Sequence, residues 1–165
     1  SSDLASENIE NQNKGTAQSP ETYFGAYRNE NFGNGTPGQV GQGAYSQPKT
    51  IEANKFYLVG DWDIKDQSII NKSKSAKIIF KYNATGVYFV ASALNEASVK
   101  NMTVLVDSQP VGNRAGSSVD KSTGKISVKE SDLYRAVEDP AGAGEHTLEL
   151  IFEDIDTEVF TFTFG

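Results

Sequence analysis

From residue 56 to the end of the chain, apolar and polar side chains alternate with a period of two. Gly, Asn, Asp or Pro interrupts the alternation roughly every eight to twelve residues. Successive side chains of an extended strand point to opposite faces, whereas a helix would need apolar residues three and four apart. "AKIIFKY" places Ile78, Phe80 and Tyr82 on one face and Lys77 and Lys81 on the other, and "GVYFVASA" does the same with Val87, Phe89 and Ala91. "NATG" between them has turn composition, so residues 76–93 read as a hairpin. "KFYLVGDW", "NMTVLVD", "GKISV", "LYRAV", "EHTLELIF" and "EVFTFTF" supply further strands. This pattern predicts an all-β domain, an antiparallel β-sandwich or jelly roll. In such a sandwich Phe160, Phe162 and Phe164 face inward and Thr161 and Thr163 outward, the other use of such a ladder being a ligand platform.

The first 50 residues are different: they hold almost no aliphatic side chains. Residues 1–20 are polar and mixed in charge, and read as a flexible leader. Residues 21–54 read as a linker segment with an aromatic clamp and a Gly-rich loop, and residues 55–165 as the β-sandwich domain. Ser19 and Pro20 have the composition of a helix start, so a short helical or irregular segment is expected there. Tyr23 and Tyr27 would then stand one above the other, among aromatics that fasten the segment to the main body. Gly33, Gly35, Gly38, Gly41 and Gly43 with Pro37 and Pro48 read as a connector, because the Lys-Ser/Thr of a phosphate loop is missing. At 165 residues the chain suffices for one self-supporting core. Its start, without Met, reads as a mature form or a piece of a longer protein.

A net charge of −7 repels a phosphate backbone, so a nucleic-acid partner is not expected. No apolar run approaches the roughly 18–20 residues of a membrane helix, so no membrane insertion by this chain is expected. The absence of cysteine excludes disulfides, thiolate metal sites and thiol redox chemistry within it.

Candidates for chemistry are few. The single histidine, His146, shares strand parity with Leu148, Leu150 and Phe152, the pattern of a partly buried strand histidine near an edge. Carboxylates gather in "GDWDIKD" (Asp61, Asp63, Asp66) and "FEDIDTE" (Glu153, Asp154, Asp156, Glu158), but neither stretch matches a calcium loop. They read as solvated turn charges, and no catalytic residue, metal or cofactor is expected. A hydrolase using a carboxylate pair is the alternative enzyme reading, and a structural spacer is a third. Trp62, the only tryptophan, caps the core or stacks on a sugar ring. Tyr134 and Arg135 point to opposite sides of their strand. Trp62, Tyr134, Arg135 and Arg114 are the candidate ligand-binding residues.

"SPETYFGAYRNENF", "FYLVGDWDI", "VLVDSQPV", "DLYRAV", "GEHTLELIF" and the terminal "FTFTFG" occur in that order. Together, over residues 19–165, they resemble the region that follows the thioredoxin-like domain in the DipZ family of membrane thiol-disulfide proteins. The resemblance implies a carboxy-terminal jelly-roll module, galactose-binding-like and similar in shape to carbohydrate-binding modules, on the extracytoplasmic side and anchored through its parent. It implies a non-catalytic accessory role, with the thioredoxin-like domain of the same parent chain as partner and a glycan as a further one. The family's Cys-x-x-Cys site lies in the preceding domain, and no position here inherits it.

Overall fold

In the computed structural model, which describes residues 18–165, the alternating segments form strands. Most of the expected leader, residues 1–17, lies outside the described residues. The strands are β1 (Thr22–Tyr23), β2 (Gly41–Tyr45), β3 (Phe56–Ile64), β4 (Ile69–Asn71), β5 (Ala76–Asn83), β6 (Gly86–Ala93) and β7 (Lys100–Val106). They continue with β8 (Gln109–Pro110), β9 (Val119–Asp120), β10 (Lys125–Val128), β11 (Asp132–Glu138), β12 (Glu145–Phe152) and β13 (Thr157–Phe164). Every ladder between them is antiparallel. Among the described residues the helical elements are two short 3₁₀ turns, at Leu94–Glu96 and Gly112–Arg114.

Two sheets face each other as an antiparallel sandwich. One runs β11-β6-β13-β4-β3-β2, with β1 also on β13; the other runs β3-β5-β12-β7-β10-β9, with β8 beside β7. β3 belongs to both: Phe56–Val59 pair with β5, and Gly60–Ile64 pair with β2. The change of sheet falls at Gly60, whose φ of +91° L side chains rarely adopt. A Cβ there would lie 2.8 Å from Ser73 Oγ and 3.1 Å from Ala76 Cα, so only glycine fits the corner.

The expected hairpin over 76–93 does not form. β5 pairs with β3 and β12, while β6 pairs with β11 and β13, so "NATG" carries the chain from one sheet to the other. Turn composition marks a reversal but not the sheet in which the chain continues. Ile78, Phe80 and Tyr82 therefore lie in one wall of the core, and Val87, Phe89 and Ala91 in the other; all six are buried.

The terminal phenylalanines are also rearranged. The β13–β6 register shifts between Val159 and Thr161, leaving Phe160 as the extra residue of a β-bulge. Thr157 and Val159 face the core before the bulge; Phe162 and the partly buried Phe164 do so after it. Phe160 is turned to the outer side, correcting the expectation of three inward rings. The Phe162 ring meets Phe24 at 5.0 Å and Phe80 at 5.4 Å, both edge-on.

No helix follows Ser19. Its hydroxyl accepts the Asn83 N–H at 2.8 Å and donates to Asn54 Oδ1 at 2.6 Å, and Thr22–Tyr23 pair with Phe162–Thr161 of β13. Ladder pairing and burial of Phe24 outweigh the local helix-start signal. Tyr23 and Tyr27 do not stack: Tyr27 is 67 % exposed, and the Arg28 guanidinium covers Tyr23 at 3.5 Å from the ring centre. Phe24 and Phe32 are buried against Phe56, at 4.9 and 4.8 Å between ring centres. The Gly-rich stretch, expected to be wholly loop, contains β2. Its Gly43 leaves room for the Tyr45 ring, whose Oη would stand 2.7 Å from a Cβ at that position.

Candidate ligand-binding site

The bulge that expels Phe160 also creates a concavity. β1 lies against β13, Phe24 N–H donates to Phe160 O at 3.0 Å, and the chain then turns over the β3–β4 loop. There Ala26 N–H donates to Lys65 O at 2.8 Å, and Tyr27 N–H to Asp66 O at 2.9 Å. Gly25 permits this approach, since a Cβ would lie 2.3 Å from the backbone of Gln67. The buried Asn29 fixes the turn: its Nδ2 donates to Phe24 O at 3.3 Å, and its Oδ1 accepts the Gly38 N–H at 2.8 Å.

The resulting concavity of about 240 Å³ is lined by Tyr23, Tyr27, Arg28, Asp66, Gln67 and Phe160, together with Gly25 and Thr161. Aromatic rings, a guanidinium, a carboxylate and an amide thus line one hollow. Arg28 is held flat by cation–π contact with Tyr23, whose hydroxyl donates to Glu21 Oε1 at 3.0 Å. Among the described residues neither Arg28 nor Asp66 forms an ion pair. Among the described residues, then, no ion partner takes either polar head from a ligand. Apolar walls with a few convergent polar groups are the usual makeup of a small-molecule site.

The four residues singled out in the sequence lie elsewhere and do not converge. Trp62 is fully buried, edge-on to Phe152 at 5.2 Å, with Nε1–H donating to Val59 O at 3.0 Å, so its indole offers no face to a ligand. Tyr134 stacks on Phe89 at 5.7 Å and donates its hydroxyl to Glu130 O at 2.6 Å; burial pushes its phenol up. Arg135, on the opposite side of β11, lies over the Tyr88 ring at 4.9 Å. Arg114 sits between Asp107 at 3.3 Å and Asp139 at 3.5 Å. The bulge that assembles the actual concavity left no mark in the alternation; the clustered Tyr23, Tyr27 and Arg28 were the only hint of it.

A second polar cluster surrounds His146. The β7–β8 hairpin turns on Asp107 and Ser108, both at positive φ as a two-residue hairpin requires, which aims the Asp107 carboxylate at β12. Its Oδ1 accepts the Thr147 N–H at 2.9 Å, and its Oδ2 lies 2.7 Å from His146 Nδ1. Burial opposes the Asp107 charge, but the Thr147 N–H, His146 and Arg114 outweigh it and hold the carboxyl below its ordinary range. Tyr82, 5.9 Å from the His146 ring, has its phenol pushed strongly up, first by burial and then by the charges of Asp107 and Asp139 against Arg114. His146 Nε2 lies 2.7 Å from the Gly142 carbonyl oxygen. A neutral imidazole has one N–H, so only a ring carrying two protons donates to both acceptors at once. With Nε2 occupied by a carbonyl, the Asp–His pair lacks the free nitrogen that a general base presents to a nucleophile.

The acidic stretches act as fasteners. Asp63 pairs with Lys65 at 3.2 Å, Asp156 with Lys72 at 2.8 Å and Glu153 with Lys125 at 2.9 Å. Asp154 accepts the Asn101 N–H at 2.8 Å, and Glu158 accepts the Ser68 hydroxyl at 2.5 Å. Among the described residues no group of three or more His, Asp or Glu side chains converges to hold a metal ion.

Known proteins place the chain. It is 32 % identical over 94 residues to Protein DipZ of Mycobacterium bovis and, to the same extent, to Protein DipZ of Mycobacterium tuberculosis. The alignment covers 57 % of this chain and 13 % of each relative, so the chain spans only a small part of their length. Among solved structures, a family two carbohydrate esterase from Cellvibrio japonicus superposes with a TM-score of 0.49 at 13 % identity, covering 75 % of this chain and 32 % of that one. A GH26-CBM35 β-(1,4)-mannanase from Podospora anserina superposes with a TM-score of 0.40 at 10 % identity, covering 88 % and 27 %. The family model described as the thioredoxin-like C-terminal domain matches residues 19–165, nearly the whole described chain. The chain belongs to the thioredoxin-like C-terminal domain family, the DipZ-type carboxy-terminal module that its ordered motifs resemble.

Proposed function

We propose that this domain is a non-catalytic accessory module of an extracytoplasmic thiol-disulfide membrane protein, and that it binds carbohydrate in the concavity between Tyr23 and Phe160. The thioredoxin-like domain of the same parent chain is its covalent partner, and the module brings that domain to a glycan-bearing surface. One observation carries the reading: Tyr23, Tyr27 and Phe160 border a pocket that also holds Arg28 and Asp66, neither of which forms an ion pair among the described residues. The apolar face of a pyranose packs on aromatic rings, while its hydroxyls accept from a guanidinium and donate to a carboxylate. Family membership supports the redox context, and this chain, which has no cysteine, supplies no thiol of its own to it.

Calorimetric titration of the chain with mannose and N-acetylglucosamine and their linear oligomers tests the site. Binding is expected, and Phe160→Ala or Arg28→Ala weakens it about tenfold, or about 1.4 kcal/mol, while thermal unfolding shows the fold retained. Absence of binding to every saccharide in the panel overturns the carbohydrate reading. Trp62 is an unsuitable reporter, because its buried indole touches none of this surface.

A further inference from the structure

We infer that the carbohydrate ligand is a neutral linear chain of at least two pyranose rings, bound through two adjoining subsites rather than as a single terminal sugar; this rests on the carbohydrate reading above. The first concavity, about 240 Å³, lies below the roughly 300–1,000 Å³ of pockets that enclose drug-sized ligands and suits one ring. A second concavity, about 570 Å³, continues from it and shares Tyr27, Asp66 and Gln67 as the common wall. Its lining is completed by Val40 and Gly41, where β2 begins, and by Ile64 and the Asp63–Lys65 ion pair.

Tyr27 and Val40 are the two most exposed large apolar side chains of the described residues, at 67 % and 61 %, and both border this second concavity. Single exposed apolar residues are ordinary, but two bordering one hollow that continues an aromatic pocket mark a surface made to be covered. Tyr27 stands as a ridge between the subsites, able to support the ring that follows the one over Phe160. Gly41 suits the start of β2 because its φ is +126°, a conformation that L side chains rarely adopt. The charges of the two subsites balance, Arg28 and Lys65 against Asp63 and Asp66. With the chain at −7 overall, a polyanionic chain has no favourable field here, which is the reason for a neutral one.

The test is a length series of neutral mannose and N-acetylglucosamine oligomers, one to four units, titrated into the chain and into its Val40→Asp and Phe160→Ala variants; Val40 borders the second concavity and not the first. Affinity is expected to rise at least tenfold from one unit to two and to level off by the fourth. Val40→Asp should cut that gain and leave monosaccharide binding unchanged, while Phe160→Ala weakens every length. Equal affinity for one and several units, or a Val40→Asp loss of the same factor at every length, overturns the two-subsite inference and leaves the carbohydrate reading standing. No binding at any length overturns both.

Discussion

Replacing Gly60 by alanine tests the corner on which the sandwich is built. Two costs combine at that position. The φ of +91° is a conformation that a residue with a Cβ holds only at about 1–3 kcal/mol. The added methyl would also stand 2.8 Å from Ser73 Oγ, itself the acceptor of the Asp61 N–H at 2.9 Å, and 3.1 Å from both Cα and Cβ of Ala76. The serine side chain can turn aside, but Ala76 is strand backbone and yields only if β5 shifts, an overpacking cost of about 1–3 kcal/mol. The sum is about 2–6 kcal/mol. For a domain of this size each kcal/mol lowers Tm by about 2–4 °C, so a fall of about 4–24 °C is expected in a thermal melt followed by circular dichroism. Gly38→Ala separates the two costs: φ is +83° there, but a Cβ meets nothing within 4 Å, so only the backbone cost applies. If Gly60→Ala melts no lower than Gly38→Ala, the crowded corner does not carry the strand between sheets, and the reasoning fails.

The bulge in β13 predicts unequal effects from two phenylalanines two residues apart: Phe162→Ala, in the core, should cost about 3–5 kcal/mol, and the outward Phe160→Ala about 1 kcal/mol or less. Equal losses in chemical denaturation would restore the uninterrupted ladder. The lowered pKa of Asp107 means that its stabilising contribution is present above the unfolded carboxyl value near pH 4 and is lost as pH falls through the lower folded value. Asp107→Asn should therefore flatten the acid limb of the stability profile, and an unchanged slope between about pH 5 and 2 would count against the cluster around His146.

The all-β character of this protein and its paired-sheet core were legible in the sequence, because side-chain alternation is a local property: Ile78, Phe80 and Tyr82 needed only their own neighbours to declare one buried face. The parity of His146 with Leu148, Leu150 and Phe152 was legible for the same reason. Tertiary structure decided which strands pair. "NATG" reads as a turn whether it closes a hairpin or crosses between sheets, since the pairing energy lies with β3, β11, β12 and β13, far away in the chain. It also decided that β1 forms on β13 rather than a helix after Ser19, because burial of Phe24 against Phe56 and Phe162 outweighs a local cap. The pocket belongs wholly to that level: a one-residue register slip turns Phe160 outward, and only the folded chain brings residues 23–28, 66–67 and 160–161 to one surface.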